Sequence, residues 1–171
     1  MTPALRRRVL FASLYFSEGA PIGFLWWALS TRLRAAGVEV AEITTLLGVL
    51  VLPWALTFLG APAIDILRSP RWPLRAWIAS CQTVMGLCLL ATLLFDWRAD
   101  FAAIAALLLL HAVFAASQDV AVDAWALQPV RPEHRGALNA WMQGGILAGR
   151  ALFGGGVLLL DQHIGPSATI L

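Results

Sequence analysis

Long apolar stretches alternate with short polar links along the 171-residue chain. Each stretch has about the 20 apolar residues that a helix needs to cross a lipid bilayer. The predicted spans are Val9–Thr31, Ile43–Ile64, Leu74–Phe95, Phe101–Ala126 and Ala137–Leu160. No alternating strand pattern accompanies them, and backbone groups in lipid must satisfy one another within the segment. The pattern therefore predicts an all-α fold, a membrane-embedded helix bundle of about five transmembrane helices.

The links between these spans are short, which predicts antiparallel neighbouring helices in a single transmembrane domain covering residues 1–171. The residues after Asp161 have the pattern of a short turn followed by the start of a sixth helix. We therefore expect the chain to be the N-terminal part of a longer protein.

Composition strengthens the membrane interpretation. Hydrophobic residues make up 60% of the chain and charged residues only 13%, which excludes an ordinary soluble domain. The lipid bilayer is thus an expected partner, and nucleic acid is not. Nothing resembles a nucleophile–base pair, a metal-ligand cluster or a nucleotide-binding loop, so we predict neither an enzyme nor a cofactor.

Arginine placement predicts the orientation of the spans, since loops rich in Lys and Arg stay in the cytoplasm. The side that holds the N-terminus carries Arg6, Arg7, Arg8, Arg68, Arg71, Arg75, Arg131 and Arg135, and the other side carries Arg32, Arg34 and Arg98. This asymmetry predicts a multi-pass protein of the cell inner membrane with a cytoplasmic N-terminus.

Two carboxylates and an amide lie inside the fourth predicted span. Asp119 and Asp123 are four residues apart and share a helix face, and Gln118 lies about 100° round the same helix. Such groups are costly in hydrocarbon and usually face a protein interior or a water-filled path. We assign Gln118 and Asp119 to the substrate or ion path. His111 lies on the same face as Gln118. A lone histidine at such a position is more often a hydrogen-bonded packing residue than a proton relay.

A structural alternative is that these acids pair with nearby arginines and lock the helices together on the cytoplasmic side. The predicted cytoplasmic gate consists of Asp65, Arg68, Arg71, Arg75 and Asp123. Intramembrane carboxylates serve both purposes in transporters, so the two roles remain open.

Glu18 lies near the middle of the first span, beside Pro21 and two glycines. A proline at this depth kinks or loosens a helix, and such interruptions let polar groups face a cavity. A buried carboxylic acid suits proton uptake, which makes Glu18 a candidate for coupling. The alternative is a neutral Glu18 hydrogen-bonded to a neighbouring helix.

Arg150 lies near the midpoint of the fifth span, and spacing places Asn139 and Gln143 within about 40° of it on the helix. A permanently charged guanidinium at this depth suits an anionic solute such as a carboxylate or phosphate. These three residues complete the predicted path. The alternative for Arg150 is a structural ion pair with Glu18 or Asp119.

Three segments resemble the N-terminal part of major facilitator superfamily transporters, and more narrowly the AmpG-type muropeptide permeases and related acetyl-CoA transporters. They are Leu14–Gly23 (LYFSEGAPIG), Pro53–Asp65 (PWALTFLGAPAID) and Ser117–Trp125 (SQDVAVDAW). The resemblance implies twelve helices in two halves, alternating access and, as a rule, proton coupling. The remaining C-terminal helices would then be partners of this chain.

At two positions the chain departs from the family pattern, which limits the residue roles that the resemblance implies. Asp65 matches the acid of the family's cytoplasmic loop, but Ile66 stands where a basic residue is common. Glu18 stands where close relatives often have an uncharged residue, so its role in coupling cannot be taken from the family.

Together these observations predict a secondary active transporter that moves a polar, anionic solute. The resemblance implies that the solute is muropeptide-like or acyl-CoA-like and that transport is proton-coupled symport. Two other functions stay open from the sequence. One is a truncated, non-transporting membrane subunit. The other is a membrane-embedded enzyme that uses Asp119 and Asp123.

Overall fold

The computed structural model describes residues 2–58, 62, 64, 66, 69–127 and 130–164. Five helices, α1 to α5, account for nearly all of these residues. Their bounds are Pro3–Ala35 for α1, Val40–Ala55 for α2, Leu74–Thr92 for α3, Phe101–Leu127 for α4, and Pro132–Arg150 continued through Ala151–Gly156 and Val157–Ile164 for α5. The described residues form no strand, only one isolated bridge between Ser69 and Trp72. The predicted all-α class is confirmed.

Four of the helices, α1, α3, α4 and α5, are long and apolar enough to cross a membrane. The second predicted span, Ile43–Ile64, corresponds to α2, an apolar helix of 16 residues that contains Pro53. Residues 59–61 and 63 of that span lie outside the described part of the chain.

The first and last helices extend beyond the apolar stretches that predicted them. Helix α1 starts at Pro3 instead of Val9, and the Thr2 hydroxyl caps it by accepting a hydrogen bond from the Leu5 amide at 3.3 Å. Helix α5 starts at Pro132 instead of Ala137, with the proline in the first turn, where its missing N–H costs nothing. Polar residues therefore continue both helices past the apolar core.

Many large apolar side chains face outward on the long helices. Leu87 and Leu90 on α3 are each 61% exposed, and Leu147 on α5 is 62% exposed. A soluble protein rarely leaves so much apolar surface in water. Lipid contact explains this surface, which supports a multi-pass membrane protein.

The chain divides into two compact units. One contains α1 and α5; the other, Ala36–Trp125, contains α2, α3 and nearly all of α4.

Glycines bring α1 and α5 into backbone contact. A Cβ added at Gly145 would strike the Ala12 carbonyl oxygen, and one at Gly149 would strike that of Phe16. In return, a Cβ at Gly19 would strike the Ile146 carbonyl oxygen. The residue numbers of the contacting positions increase in the same direction along both helices, so α1 and α5 run parallel. Small residues at four-residue spacing permit this approach in membranes.

Each helix of this pair contains one π-helical segment, Phe24–Leu29 in α1 and Ala151–Gly156 in α5. The two lie side by side, because a Cβ added at Gly154 would lie 3.0 Å from the Gly23 carbonyl oxygen. The disruption expected at Pro21 is therefore not a break in α1. The helix continues through the proline and widens three residues later.

In the other unit, α3 and α4 pack antiparallel. The buried stripe of α3 repeats at alternating spacings of four and three residues: Leu74, Ile78, Cys81, Met85, Cys88 and Thr92. The Trp77 indole Nε1 donates a hydrogen bond to the Ser117 hydroxyl at 2.9 Å, and Nδ1 of His111 lies 3.2 Å from the Met85 carbonyl oxygen. These two polar contacts fix the register of the pair.

The link from α3 to α4 is a turn held by Asp96. Its carboxylate accepts hydrogen bonds from the amides of Arg98 at 2.9 Å and Ala99 at 2.8 Å. These amides, with the charge of Arg98, hold the pKa of Asp96 below its ordinary value because they favour the ionised form.

The glycine contact predicts opposite effects for the same substitution at two nearby positions. Gly149→Ala forces α1 and α5 apart and should destabilise the protein by about 1–3 kcal/mol, the usual cost of overpacking. Gly144→Ala adds its methyl where nothing lies within 4 Å, and should leave stability unchanged or raise it by up to about 1 kcal/mol through helix propensity. Unfolding of the two purified variants in detergent measures the difference; equal stabilities would contradict the close contact.

The Asp96 turn should be sensitive to acid. Because the pKa of Asp96 is lowered by folding, the stabilisation is present above the ordinary carboxyl pKa and is lost as the pH falls through the lowered value. Hydrogen exchange at the Arg98 and Ala99 amides should therefore accelerate on acidification, relative to helical amides. Asp96→Ala should show the fast exchange already at neutral pH, and slow exchange in that variant would exclude the carboxylate as the acceptor.

Candidate functional site

The polar face predicted on α5 is present. Pro132–Arg150 is an unbroken α-helix, so Asn139, Gln143 and Arg150 lie on one face over about 16 Å of helix length. Asn139 and Gln143 are exposed, whereas Arg150 is half-buried. This face flanks the glycine face that contacts α1.

Arg150 lies where the two π-helical segments begin. It is the last residue before the π-helical segment of α5, and a Cβ at Gly23 would lie 2.5 Å from its carbonyl oxygen. Its side-chain Nε is buried and has no hydrogen-bond partner among the described residues. Single π-helical turns inside α-helices are frequent at functional sites. The position thus combines an irregular backbone with a half-buried, permanently charged group whose Nε is buried.

Glu18 belongs to the same unit and is only 1% exposed. It lies on a buried stripe of α1 with Phe11, Tyr15 and Ile22, about 120° round the helix from the glycine face. Burial of an ionisable group at the middle of a candidate span is expensive. Glu18 therefore lies away from the outer surface of its unit, and its roles in the path and in coupling stay predictions.

Gln118, in the other unit, is completely buried, with 0% exposure. It continues the inward stripe of α4 formed by Leu108, His111, Ala115 and Val122. Neither its Oε1 nor its Nε2 has a hydrogen-bond partner among the described residues. A buried polar group left unsatisfied costs about 1–3 kcal/mol, so Gln118 is retained against stability.

His111 on the same stripe is 1% exposed, and its Nδ1 is hydrogen-bonded to the Met85 carbonyl oxygen. Its Nε2 is buried without a partner in the described part of the chain. The hydrogen bond of Nδ1 agrees with the packing role expected for a lone histidine, but that role does not explain the buried Nε2.

The two acids of α4 share a face, as their spacing predicts, but differ in depth of burial. Asp119 is half-buried and Asp123 is exposed. Among the predicted gate arginines, Arg71 and Arg75 are exposed, and the Arg75 guanidinium lies 5.0 Å from the ring centroid of Trp125. Asp65 and Arg68 lie outside the described residues, so the gate stays a prediction.

Two contacts were not predictable from the pattern of the sequence. One is the Trp77–Ser117 hydrogen bond, since both residues lie at ordinary positions of apolar helices. The other is a hydrogen bond of 2.6 Å from Nη2 of Arg7 to the Ala126 carbonyl oxygen. In the sequence Arg7 is one of three consecutive arginines near the N-terminus, and a carbonyl acceptor leaves no signal in the side-chain sequence.

Within the described ranges, no group of three or more His, Cys, Asp or Glu side chains is placed to hold a metal ion. In one unit the structure buries the Glu18 carboxyl on α1 and half-buries Arg150 on α5; in the other it buries the Gln118 amide and the His111 imidazole on α4. Ionisable and polar groups inside membrane helices commonly serve substrate paths and proton relays.

Comparison with known proteins supports this interpretation. The chain is 26% identical over 152 residues to the protein named "Putative transporter AmpG 4" of Rickettsia conorii, and equally identical to the protein of that name in Rickettsia felis. It is 28% identical over 150 residues to an uncharacterized protein of Haemophilus influenzae. No family model matches the chain, and no solved structure matches it.

These similarities cover 86%, 86% and 84% of this chain, but only 36%, 36% and 35% of the respective relatives. The chain thus spans little more than a third of the length of the proteins it matches. The resemblance to AmpG-type transporters that the sequence motifs predict is confirmed.

The cost of burying Gln118 predicts a gain in stability when it is removed. Gln118→Leu eliminates an unsatisfied amide and keeps the volume similar, so the free energy of unfolding should rise by about 1–3 kcal/mol. Gln143→Leu makes the same chemical change at an exposed site and should alter stability by less than about 0.5 kcal/mol. Thermal unfolding of both variants in detergent decides; destabilisation by Gln118→Leu would show that the amide is satisfied.

Proposed function

We propose that the chain is part of a secondary active transporter that moves a polar, anionic solute across the cell inner membrane. The observations that carry this proposal are the burial of Glu18 and Gln118 and the half-buried position of Arg150, each on a long apolar helix. Groups of this kind are kept inside a membrane where they act on a solute or a proton. The similarity to proteins named as AmpG transporters supports the same function.

Arg150, with Gln143 and Asn139, is proposed to bind the anionic part of the solute. A guanidinium donates two parallel hydrogen bonds to a carboxylate or phosphate, and the amides add neutral donors on the same helix face. The buried Nε of Arg150, without a partner in the described residues, is a donor that such a group satisfies. Gln118 and Asp119 are proposed to line the path on α4.

Glu18 is proposed as the coupling acid. It is buried on a helix whose backbone departs from α geometry six residues further on. Proton uptake would neutralise its carboxylate and so change the cost of keeping it inside the protein. This provides a means of linking solute movement to a proton gradient in symport.

Alternating access needs an element that closes one side of the path. We propose that Asp123 with Arg71 and Arg75, and with Asp65 and Arg68, closes the side on which the N-terminus lies. The N-terminus is proposed to be cytoplasmic, and further helices of a longer protein are proposed to complete the bundle. Muropeptide-like or acyl-CoA-like compounds are the proposed solute class.

Uptake by the full-length protein in proteoliposomes tests the role of Arg150. With an imposed inward proton gradient, Arg150→Gln should lower the initial rate for anionic muropeptides or acyl-CoA by at least about ten-fold, as expected for loss of a charge-assisted hydrogen bond. Arg34→Gln removes an equal charge from an exposed position and should leave the rate within about two-fold. Unchanged uptake in Arg150→Gln would remove that residue from the path.

Glu18→Gln separates coupling from movement. The variant should lose accumulation driven by the proton gradient but retain exchange of labelled for unlabelled solute at equilibrium, because exchange needs no net proton transfer. Loss of both in a folded variant assigns Glu18 to solute binding or to structure, and retention of both removes it from the mechanism. A full-length protein that catalyses neither uptake nor exchange of any anionic solute would contradict the transporter proposal.

A further inference from the structure

A basic pocket lies between the first turns of α1 and α5, within the unit that these two helices form. It has a volume of about 310 Å³ and is lined by four basic residues, Arg7, Arg8, Arg131 and His134, and by the apolar residues Ala4, Val130 and Leu138. Among the described residues, no acidic side chain lines it. None of the functions proposed above uses this pocket.

The basic residues of this pocket differ in how many contacts hold their side chains. The Arg7 guanidinium donates a hydrogen bond to the Ala126 carbonyl oxygen and lies 5.8 Å from the Phe11 ring centroid. These two contacts fix the Arg7 side chain. The side chains of Arg8 and Arg131 make no hydrogen bond or ion pair with any described residue. Arg8 is half-buried, and Arg131 and His134 are exposed at the rim. Two arginines thus remain available to bind an anion.

The location of the pocket defines the kind of anion. Both helices start here, at Pro3 and Pro132, and both are long and apolar enough to cross a membrane from this end. The start of a span is the level of the lipid headgroups. A water-soluble anion would gain nothing from the apolar residues Ala4 and Val130, whereas the glycerol and first acyl carbons of a lipid would pack on them. Basic pockets between transmembrane helices bind anionic headgroups in this way.

The first turn of α5 adds a favourable field. Its N-cap residue, Arg131, provides no side-chain cap, so the positive end of the helix dipole is open to an anion. Glu133 in the same turn is exposed and does not line the pocket. This contribution supports the arginines and does not replace them.

We propose that Arg8 and Arg131, with Arg7 and His134, form a binding site for the phosphate of an anionic phospholipid, held between α1 and α5. The lipid would bridge the first turns of these two helices on the side opposite to the π-helical segments. Each arginine near an anionic headgroup strengthens binding by roughly five-fold, so a pair is worth about 25-fold.

The full-length protein in detergent provides the test, with short-chain phosphatidylglycerol titrated against its thermal unfolding and short-chain phosphatidylcholine as the neutral lipid. Phosphatidylglycerol should raise the unfolding temperature at concentrations at least about ten-fold below those of phosphatidylcholine. Arg8→Gln/Arg131→Gln should lose at least about ten-fold of this preference, and Arg8→Lys/Arg131→Lys should retain most of it.

Arg6→Gln/Arg135→Gln is the matched control. It removes the same charge from neighbouring positions that do not line the pocket and should keep the preference within about two-fold. Equal effects of the two glutamine pairs would overturn the site, as would equal effects of the two lipids on the unsubstituted protein. Stabilisation by inorganic phosphate at the same concentrations would identify a free-anion site and overturn the lipid assignment. If the Arg8→Gln/Arg131→Gln protein fails to fold, the two lipids, the lysine pair and the control pair still decide.

Discussion

The backbone contact between α1 and α5 is the constraint on which the first unit depends. Gly145 and Gly149 on one helix and Gly19 on the other leave no room for a side chain between the two backbones. In lipid, where apolar surface gains little from association, such close van der Waals contact is the main force that holds helices together. The contact sets the relative height and rotation of both helices. It therefore decides where Glu18 and Arg150 lie, although neither residue makes the contact with its side chain.

Polar groups inside the helices have a cost that the packing has to offset. The Gln118 amide lies in the buried stripe of α4 without a hydrogen-bond partner in the described part of the chain. Nε of Arg150 also has no hydrogen-bond partner there. A sequence selected for stability alone would replace both by leucine or methionine. Their retention fits a protein whose interior meets water and solute during its working cycle, and the π-helical segments beside Arg150 fit a region where backbone geometry has to change.

The apolar pattern of the sequence predicted the fold class and the approximate positions of the helices, because length and hydropathy are sufficient for this in a membrane. The ends were less predictable. Helix α1 includes Arg6, Arg7 and Arg8, which favour a helix but not lipid, and only a helix-start signal such as Pro132 locates the true beginning of α5. Spacing alone correctly placed Asn139, Gln143 and Arg150 on one face, since the helix that carries them is regular.

Spacing failed where the outcome depends on tertiary contacts. In a lipid-facing helix both the inner and the outer faces are apolar, so the pattern does not show that the stripe from Leu74 to Thr92 is the buried one. The partner of Trp77 and the backbone acceptor of Arg7 are likewise set by the neighbouring segment. The four-residue spacing of Gly145 and Gly149 is typical of close helix packing, but it does not show which helix they contact.

The central claim is that these helices lie in lipid and turn a polar face toward an aqueous path. Gln143 and Ala148 are both exposed on α5, about 140° apart round the helix, and Cys81 and Cys88 are buried. In full-length protein carrying Cys81→Ala/Cys88→Ala, within native membranes, Gln143→Cys should react with a membrane-impermeant thiol reagent and Ala148→Cys should not. Reaction at both positions would mean that water surrounds the helix, and reaction at Ala148→Cys alone would mean that the polar face is turned away from the path; either result contradicts the account.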